Sequence, residues 1–254
     1  MFQGCTSLTT APELPATTLA NYCYQGMFWN CKSLTTAPVL PATTLVQSCY
    51  GQMFINCTSL TTAPVLPATT LANYCYQYMF QNCTSLTTAP ALPATTLKDS
   101  CYNGMFNGTN VLPNCSNIDF ASSTVVASGG LKGLFSGTKV TDNDLEKLLP
   151  KNDNGRYYLP ATTLASSCYK YMFEDCKSLT TAPELPATTL VGGCYQNMFK
   201  GCTSLNYIKC LATDISASNC TSNWVDGVAS TGTFIKNPNM TSWETGPSGI
   251  PRGW

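Results

Sequence analysis

Apolar positions recur along the chain on two superimposed rhythms. The longer has a period of 26 residues: Met-Phe pairs fall at Met1-Phe2, Met27-Phe28, Met53-Phe54, Met79-Phe80 and Met105-Phe106, then resume at Met172-Phe173 and Met198-Phe199. The repeating block reads MFxxCxSLTTAPxLPATTLxxxCYxx, and Leu134-Phe135 and Trp224-Val225 hold the same place in degenerate copies, giving about nine units. Fixed-period self-similarity of this kind signals stacked repeats rather than a globule. The shorter rhythm is four residues. Leu19, Cys23, Met27 and Cys31 are evenly spaced, with Ala20, Tyr24 and Phe28 on the adjoining row. That stripe predicts a short amphipathic helix with the variable positions Asn21, Tyr22, Gln25, Gly26, Trp29 and Asn30 facing solvent.

The other half of each unit, Ser7 to Pro15, is too short and too proline-bounded for a helix, and its Thr9-Thr10 pair suits a short strand. Thr17 or Thr18 then caps the helix that follows. One strand and one helix cannot enclose a core, but stacked copies share one, with one strand per turn in a parallel sheet. At about 4.8 Å per strand, nine turns extend roughly 40 Å on the sheet side. Helices need more room per turn than strands, so the stack is expected to curve with its sheet on the inner wall.

The rhythm is interrupted within residues 107–158. Phe106 and Phe135 are 29 residues apart, and Phe135 and Phe173 are 38 apart. Thr141 to Leu149 reads as a helix, with Thr141 and Asp144 in a capping-box pattern and Pro150 as its stop. Lys151 to Gly155 reads as a turn.

The MFxxCxSL and LPATTL segments resemble the AFxxCxxLxxIxLP pattern of the BspA-like (treponemal-type) leucine-rich repeat proteins of bacterial surfaces, closely over residues 1–106 and 159–208. Three departures stand out: the unit is longer, Met replaces Ala before Phe, and Ala11-Pro12 stands where that pattern has an aliphatic strand residue. A shorter, less regular strand is the expected consequence. The resemblance implies a right-handed α/β solenoid of leucine-rich repeats over residues 1–232, with a parallel sheet on the concave side and short helices on the convex side. The segment 233–254 resembles the tails that follow such repeats and is expected to close the end of the stack. Since Met1 opens in mid-repeat without a signal peptide, further repeats upstream are expected.

Charge narrows the functional field. Lys plus Arg (13) balance Asp plus Glu (13), and only 10% of residues are charged, so nothing attracts a phosphate backbone and no nucleic-acid partner is expected. There is no His, which removes Ser-His and Cys-His pairs and the usual catalytic zinc sites. No apolar run is long enough to span a bilayer as a helix.

Fifteen Cys invite a search for disulfides or metal. Cys23 and Cys31 lie too far apart on a helix to be bonded, and no C-x-x-C occurs. The thiols instead form two families in register with the repeat. One is Cys23, Cys49, Cys75, Cys101, Cys168, Cys194 and Cys220; the other is Cys5, Cys31, Cys57, Cys83, Cys176 and Cys202. Ladders of buried reduced thiols are the reading preferred to inter-turn disulfides or a metal site. Cys115 and Cys210 fall outside both families and are the candidate exceptions, and an odd total leaves at least one thiol free. Phe28, Phe54, Phe80, Phe106, Phe173 and Phe199 are expected to form a parallel structural ladder, as are Tyr24, Tyr50, Tyr76, Tyr102, Tyr169 and Tyr195.

Candidate ligand-binding residues are the Thr row Thr9, Thr35, Thr61, Thr87 and Thr180, and the variable aromatics Tyr22, Trp29, Tyr74, Tyr78 and Tyr171. The bland alternative for the Thr row is strand filler. Asp142, Asp144 and Glu146, and the adjacent Glu174 and Asp175, are weighed as an acid pair or calcium site against solvated helix-end charges. Sequons at Asn56, Asn82 and Asn239 are read as accidental. The resulting expectation is a non-catalytic, cofactor-free adhesion protein on or outside a bacterial surface, binding a protein or glycan of host or matrix. The alternatives are a spacer with no ligand of its own and, last, a carbohydrate-active enzyme.

Overall fold

A computed structural model describes residues 2–111 and 127–254. Among the described residues regular elements are few: a single 3-10 turn at Asp142–Asp144 leading into α1 (Leu145–Leu148), then β1 (Tyr207–Cys210) and β2 (Thr233–Lys236). The remainder is organised by hydrogen bonds between successive coils.

The segments expected to be short convex helices are chains of overlapping tight turns. In the coil containing Leu19 to Cys31, alternate N–H groups close turns within the chain: Cys23 donates to the Ala20 carbonyl, Gln25 to Tyr22, Met27 to Tyr24 and Trp29 to Gly26, at 3.1–3.2 Å. The N–H groups between them donate to the next coil: Tyr22 to Gln47, Tyr24 to Cys49, Gly26 to Gly51 and Phe28 to Met53, at 2.9–3.0 Å. A helix would direct all these donors along its own axis and leave neighbouring coils joined by side chains alone. Here the backbone is satisfied and the coils are fixed in register at once. The geometry requires every fourth residue in the left-handed region, as at Tyr22 (φ 62°), Gly26 (φ 60°) and Asn30 (φ 62°). A side-chain-bearing residue held there costs roughly 1–2 kcal/mol. Gly and Asn lower that cost, and they occupy many of these positions.

The four-residue backbone period explains the sequence stripe. Two residues point in and two point out, so Tyr50, Met53 and Phe54 are fully buried while Gln52 and Asn56 face outward. Phe rings stack from coil to coil with centroids 5.6–5.8 Å apart through Phe2, Phe28, Phe54, Phe80 and Phe106. The stack resumes through Phe135, Phe173 and Phe199. A second column runs Tyr24, Tyr50, Tyr76, Tyr102 at 5.9–6.0 Å. Thiols fill the gaps: Cys31 donates to the Phe2 carbonyl, Cys57 to Phe28, Cys83 to Phe54 and Cys202 to Phe173 at 2.9–3.1 Å.

On the opposite wall the sheet is reduced to single parallel bridges, Thr10 to Thr36 to Thr62 to Thr88. Pro12 and Pro15 and their equivalents donate no N–H, so pairing cannot spread beyond the Thr positions. Tyr207 to Cys210 supplies the contrast. The bridge from Leu185 to Cys210 aligns this coil with the preceding one and sets Ile208 and Leu211 where Pro183 and Pro186 stood. With donors restored, β1 pairs with β2 in parallel along its whole length.

The longer spacing across the interruption leaves the intercoil hydrogen bonding of the turn wall intact. Tyr102 and Gly104 donate to the Gly130 and Lys132 carbonyls, and Gly133 and Phe135 donate to Lys170 and Met172. The expected helix after Thr141 is present but short, and the Asp144 carboxylate accepts both the Thr141 N–H (2.9 Å) and its hydroxyl (2.6 Å). At the C-terminal end Trp224 takes the place of the repeated Met, stacks on Trp243 at 5.7 Å and meets the edge of Phe234. Its indole N–H donates to the Gly249 carbonyl at 2.8 Å.

Candidate functional site

Thr9, Thr35, Thr61 and Thr87 form one exposed row. Beyond Thr9 their hydroxyls are not free donors: Thr35 donates to the Thr9 carbonyl at 3.2 Å, Thr61 to Thr35 at 3.5 Å and Thr87 to Thr61 at 3.0 Å. The row therefore offers lone pairs outward, while its O–H groups bind coil to coil. Thr180 is separated from this row and engaged differently. Its hydroxyl donates to Asp142 Oδ2 at 2.5 Å, and the Thr180 and Thr181 N–H groups donate to Asp142 Oδ1 at 2.8 and 3.1 Å. Partial burial works against ionisation of Asp142, but these hydrogen bonds outweigh it and hold the carboxyl below its ordinary range. Asp142 thus docks the inserted segment onto the Thr wall.

Beside the Thr row runs a feature the sequence reading missed. In the first four coils the variable residue of the APxLP segment, Glu13, Val39, Val65 or Ala91, points outward, leaving Val39 77% and Val65 79% exposed, whereas Glu184 in the later coil is buried. In the first two coils this edge forms a depression of about 490 Å³, lined by Pro12, Leu14, Ala37, Pro38, Val39 and Pro41 among others. The available signal was the two prolines, which hold the residue between them in an extended, outward posture.

The aromatic set does not form one platform. Tyr22 and Tyr74 are exposed but separated by a coil carrying Ser48 at the same left-handed position. Trp29, expected to face outward, is partly buried, and its indole N–H is enclosed without a hydrogen-bond partner. Tyr78 and Tyr171 flank a small cleft together with Asn103, Lys132, Ser136 and Glu174. The ammonium groups of Lys170 and Lys132 lie 5.0 and 5.8 Å from the centre of the Tyr171 ring.

Three of the carboxylates weighed for catalysis have structural partners. Asp142 and Asp144 anchor backbone as described, and Glu174 lies 3.8 Å from Lys200. Burial lifts the Glu174 carboxyl above its usual range against the pull of that lysine. Glu184, 7% exposed, accepts from Lys209 at 3.1 Å and from Asn152 at 2.9 Å. The sequon amides are also engaged: Asn56 donates to Asn30 and Asn82 to Asn56, at 2.8 and 2.9 Å. Among the described residues no group of His, Cys, Asp or Glu converges to hold a metal.

Every described thiol is free, including Cys210, which sits fully buried in β1; Cys115 lies outside the described residues. Burial pushes Cys210, Cys101 and Cys168 up to about 12, so these thiols are poor nucleophiles at neutral pH. Alkylation of the native chain at pH 8 is expected to mark the exposed Cys5 first and the half-buried Cys23 next, with the ladder thiols reacting only after denaturation. Peptide mass mapping checks this, and rapid native labelling of Cys75 or Cys202 would show the thiols to be accessible.

Tandem coils joined by backbone hydrogen bonds, each adding Leu, Phe and Cys to a continuous interior, define a leucine-rich-repeat protein. The chain belongs to the BspA-type leucine-rich repeat family, whose model matches residues 1–124 and 159–223 in six copies. A solved leucine-rich repeat protein from Bacteroides ovatus ATCC 8483 is similar over 92% of this chain and 85% of its own, at 14% identity and a TM-score of 0.21. No curated protein matches the chain. Among the described residues no helix is long and apolar enough to cross a membrane.

Proposed function

We propose that the chain is a non-catalytic recognition protein of a bacterial surface, presenting its Thr wall and the adjoining proline-valine edge to a protein or glycan of host or matrix. In this reading the coils wind right-handed with the bridged Thr wall on the concave side, and residues 233–254 close the stack. The observation that carries it is the exposure of Val39 and Val65 on neighbouring coils, beside a Thr row whose outward lone pairs remain available. With the neighbouring prolines and Leu14, Val39 forms a contiguous apolar edge, the kind of surface that marks an interaction site.

The test is to immobilise the full chain and probe it against protein and glycan arrays, with a Val39→Asp/Val65→Asp variant in parallel. Both valines are solvent-facing, so the variant keeps its fold. Expected is at least one ligand whose binding the variant weakens about tenfold or more, as for loss of an apolar anchor. Silence across both arrays would sink the reading in favour of a spacer. Binding indifferent to both valines would sink this edge as the contact surface.

A further inference from the structure

We propose that the cleft between Tyr78 and Tyr171, on the turn wall opposite the Thr row, binds a single saccharide ring. The middle left-handed position of successive coils is occupied by Gln52, Tyr78, Gly104, Gly133, Tyr171 and Asn197. Two consecutive coils therefore lack a side chain, and each flanking coil carries a tyrosine. The two glycines do different things. A Cβ at Gly104 would collide with the Tyr78 ring, so this glycine lets the ring lie flat across the wall. A Cβ at Gly133 would meet nothing closer than 3.8 Å, so this one leaves open floor.

The space over that floor is about 210 Å³. Pockets for drug-sized ligands begin at roughly 300 Å³, so the cleft suits one ring rather than a chain of rings. Its walls are aromatic and its floor is polar. Asn103, which lines it, is only 4% exposed, and no described residue hydrogen-bonds its carboxamide. Its carboxamide therefore offers both a donor and an acceptor to a ligand that carries both. Ser136, 5% exposed, and the Glu174 carboxylate stand beside it. A saccharide ring has the matching alternation: C–H faces for the tyrosines and a rim of hydroxyls for Asn103, Ser136 and Glu174. A small anion is a poorer match, because the charges of Lys132 and Glu174 oppose one another across the same cleft.

The cleft lies away from Val39 and Val65, so this inference and the proposed edge contact fail independently. The full chain is titrated with glucose, galactose, N-acetylglucosamine and glucuronate by saturation-transfer NMR and calorimetry. Saturable millimolar binding of at least one is expected, and the glucuronate arm shows whether Lys132 adds selectivity for an acidic ring. Gly133→Asn puts into the cleft the residue that Asn197 already carries at the same backbone position, so the fold is kept while the floor is filled. It should weaken binding more than tenfold. Asn103→Ala should weaken it about tenfold, as for loss of a buried hydrogen-bonding partner. Failure of all four sugars to bind, or binding unchanged in both variants, overturns the proposal. If thermal melting shows Gly133→Asn to be misfolded, Asn103→Ala alone decides.

Discussion

Raising the pH from 8 to about 10 in the presence of a reductant should strip the protein of much of its stability at room temperature, although no acid-base site is disturbed. The cause is the collective ionisation of ten buried thiols. Burial raises Cys49 to about 11, and Cys57, Cys101, Cys168, Cys176, Cys194 and Cys210 to about 12. Cys75, Cys83 and Cys202 are pushed higher still, again mainly by burial. In the unfolded chain each thiol ionises near its ordinary value of about 8.5. Below that value both states hold the same protons and stability is complete. Above it the unfolded chain releases protons that the folded chain keeps, so stability falls with rising pH until the folded values are passed near pH 12. At about pH 10 the loss is roughly 1–2 kcal/mol per thiol, or ~10–20 kcal/mol for ten acting together. That is comparable with the whole stability of a domain, about 5–15 kcal/mol. The buried Tyr50, Tyr76, Tyr169 and Tyr195, whose ionisation burial also opposes, steepen the loss above about pH 10. Denaturant midpoints at pH 7, 9 and 10 measure the effect, and a midpoint constant over that range would contradict it. Replacing Cys75 and Cys101 by Ala should reduce the slope by about two protons.

The same thiols show why the interior was legible in the sequence and the backbone was not. Register, burial and the pairing of equivalent residues follow from the 26-residue period alone, because each coil can bury its Leu, Phe and Cys only against the next. The four-residue stripe was misread. On an α-helix each step of four turns the stripe by about 40°, so Leu19, Cys23, Met27 and Cys31 would drift well off one face. An undrifted stripe needs a backbone that repeats every four residues, which the turn wall supplies. Gly26 and Asn30, residue types at ease in the left-handed region, were the second available sign. Propensity alone could not reveal the structure, because its stability comes from hydrogen bonds to a neighbouring coil rather than within the segment.

The sheet wall was better foreseen, since Pro12 and Pro15 state in the sequence that pairing must stop. The site residues were least legible. Thr180 looks equivalent to Thr87 until Asp142, 38 residues earlier, is found on its hydroxyl. Tyr78 and Tyr171 become neighbours across two glycines only when the coil containing Gly133 is placed in register. The spacings of 29 and 38 residues around it hide that register from a period of 26.

Phe80→Ala should destabilise the protein by about 3–5 kcal/mol, the range for large aromatic truncations in a core that cannot collapse. Phe80 is fully buried and stacks on Phe54 and Phe106, both at 5.7 Å. The truncation opens a cavity shared by three coils, and the coils cannot close over it. Intercoil bonds from Phe54 to Met79 at 2.9 Å and from Phe80 to Met105 at 3.0 Å fix their separation on either side. In a stack stabilised by nearest-neighbour interfaces, damage in the middle weakens two interfaces, whereas damage at an end weakens one. Phe2, partly buried and stacked in this structure on Phe28 alone, is the internal control, and Phe2→Ala should cost less than half as much. Cys75→Ala, which removes one small buried atom, should cost less again. Urea denaturation at pH 7 ranks the three variants. Equal losses for Phe80→Ala and Phe2→Ala would mean that the rings contribute singly, and that the stacked column is a result of the repeat rather than what holds it together.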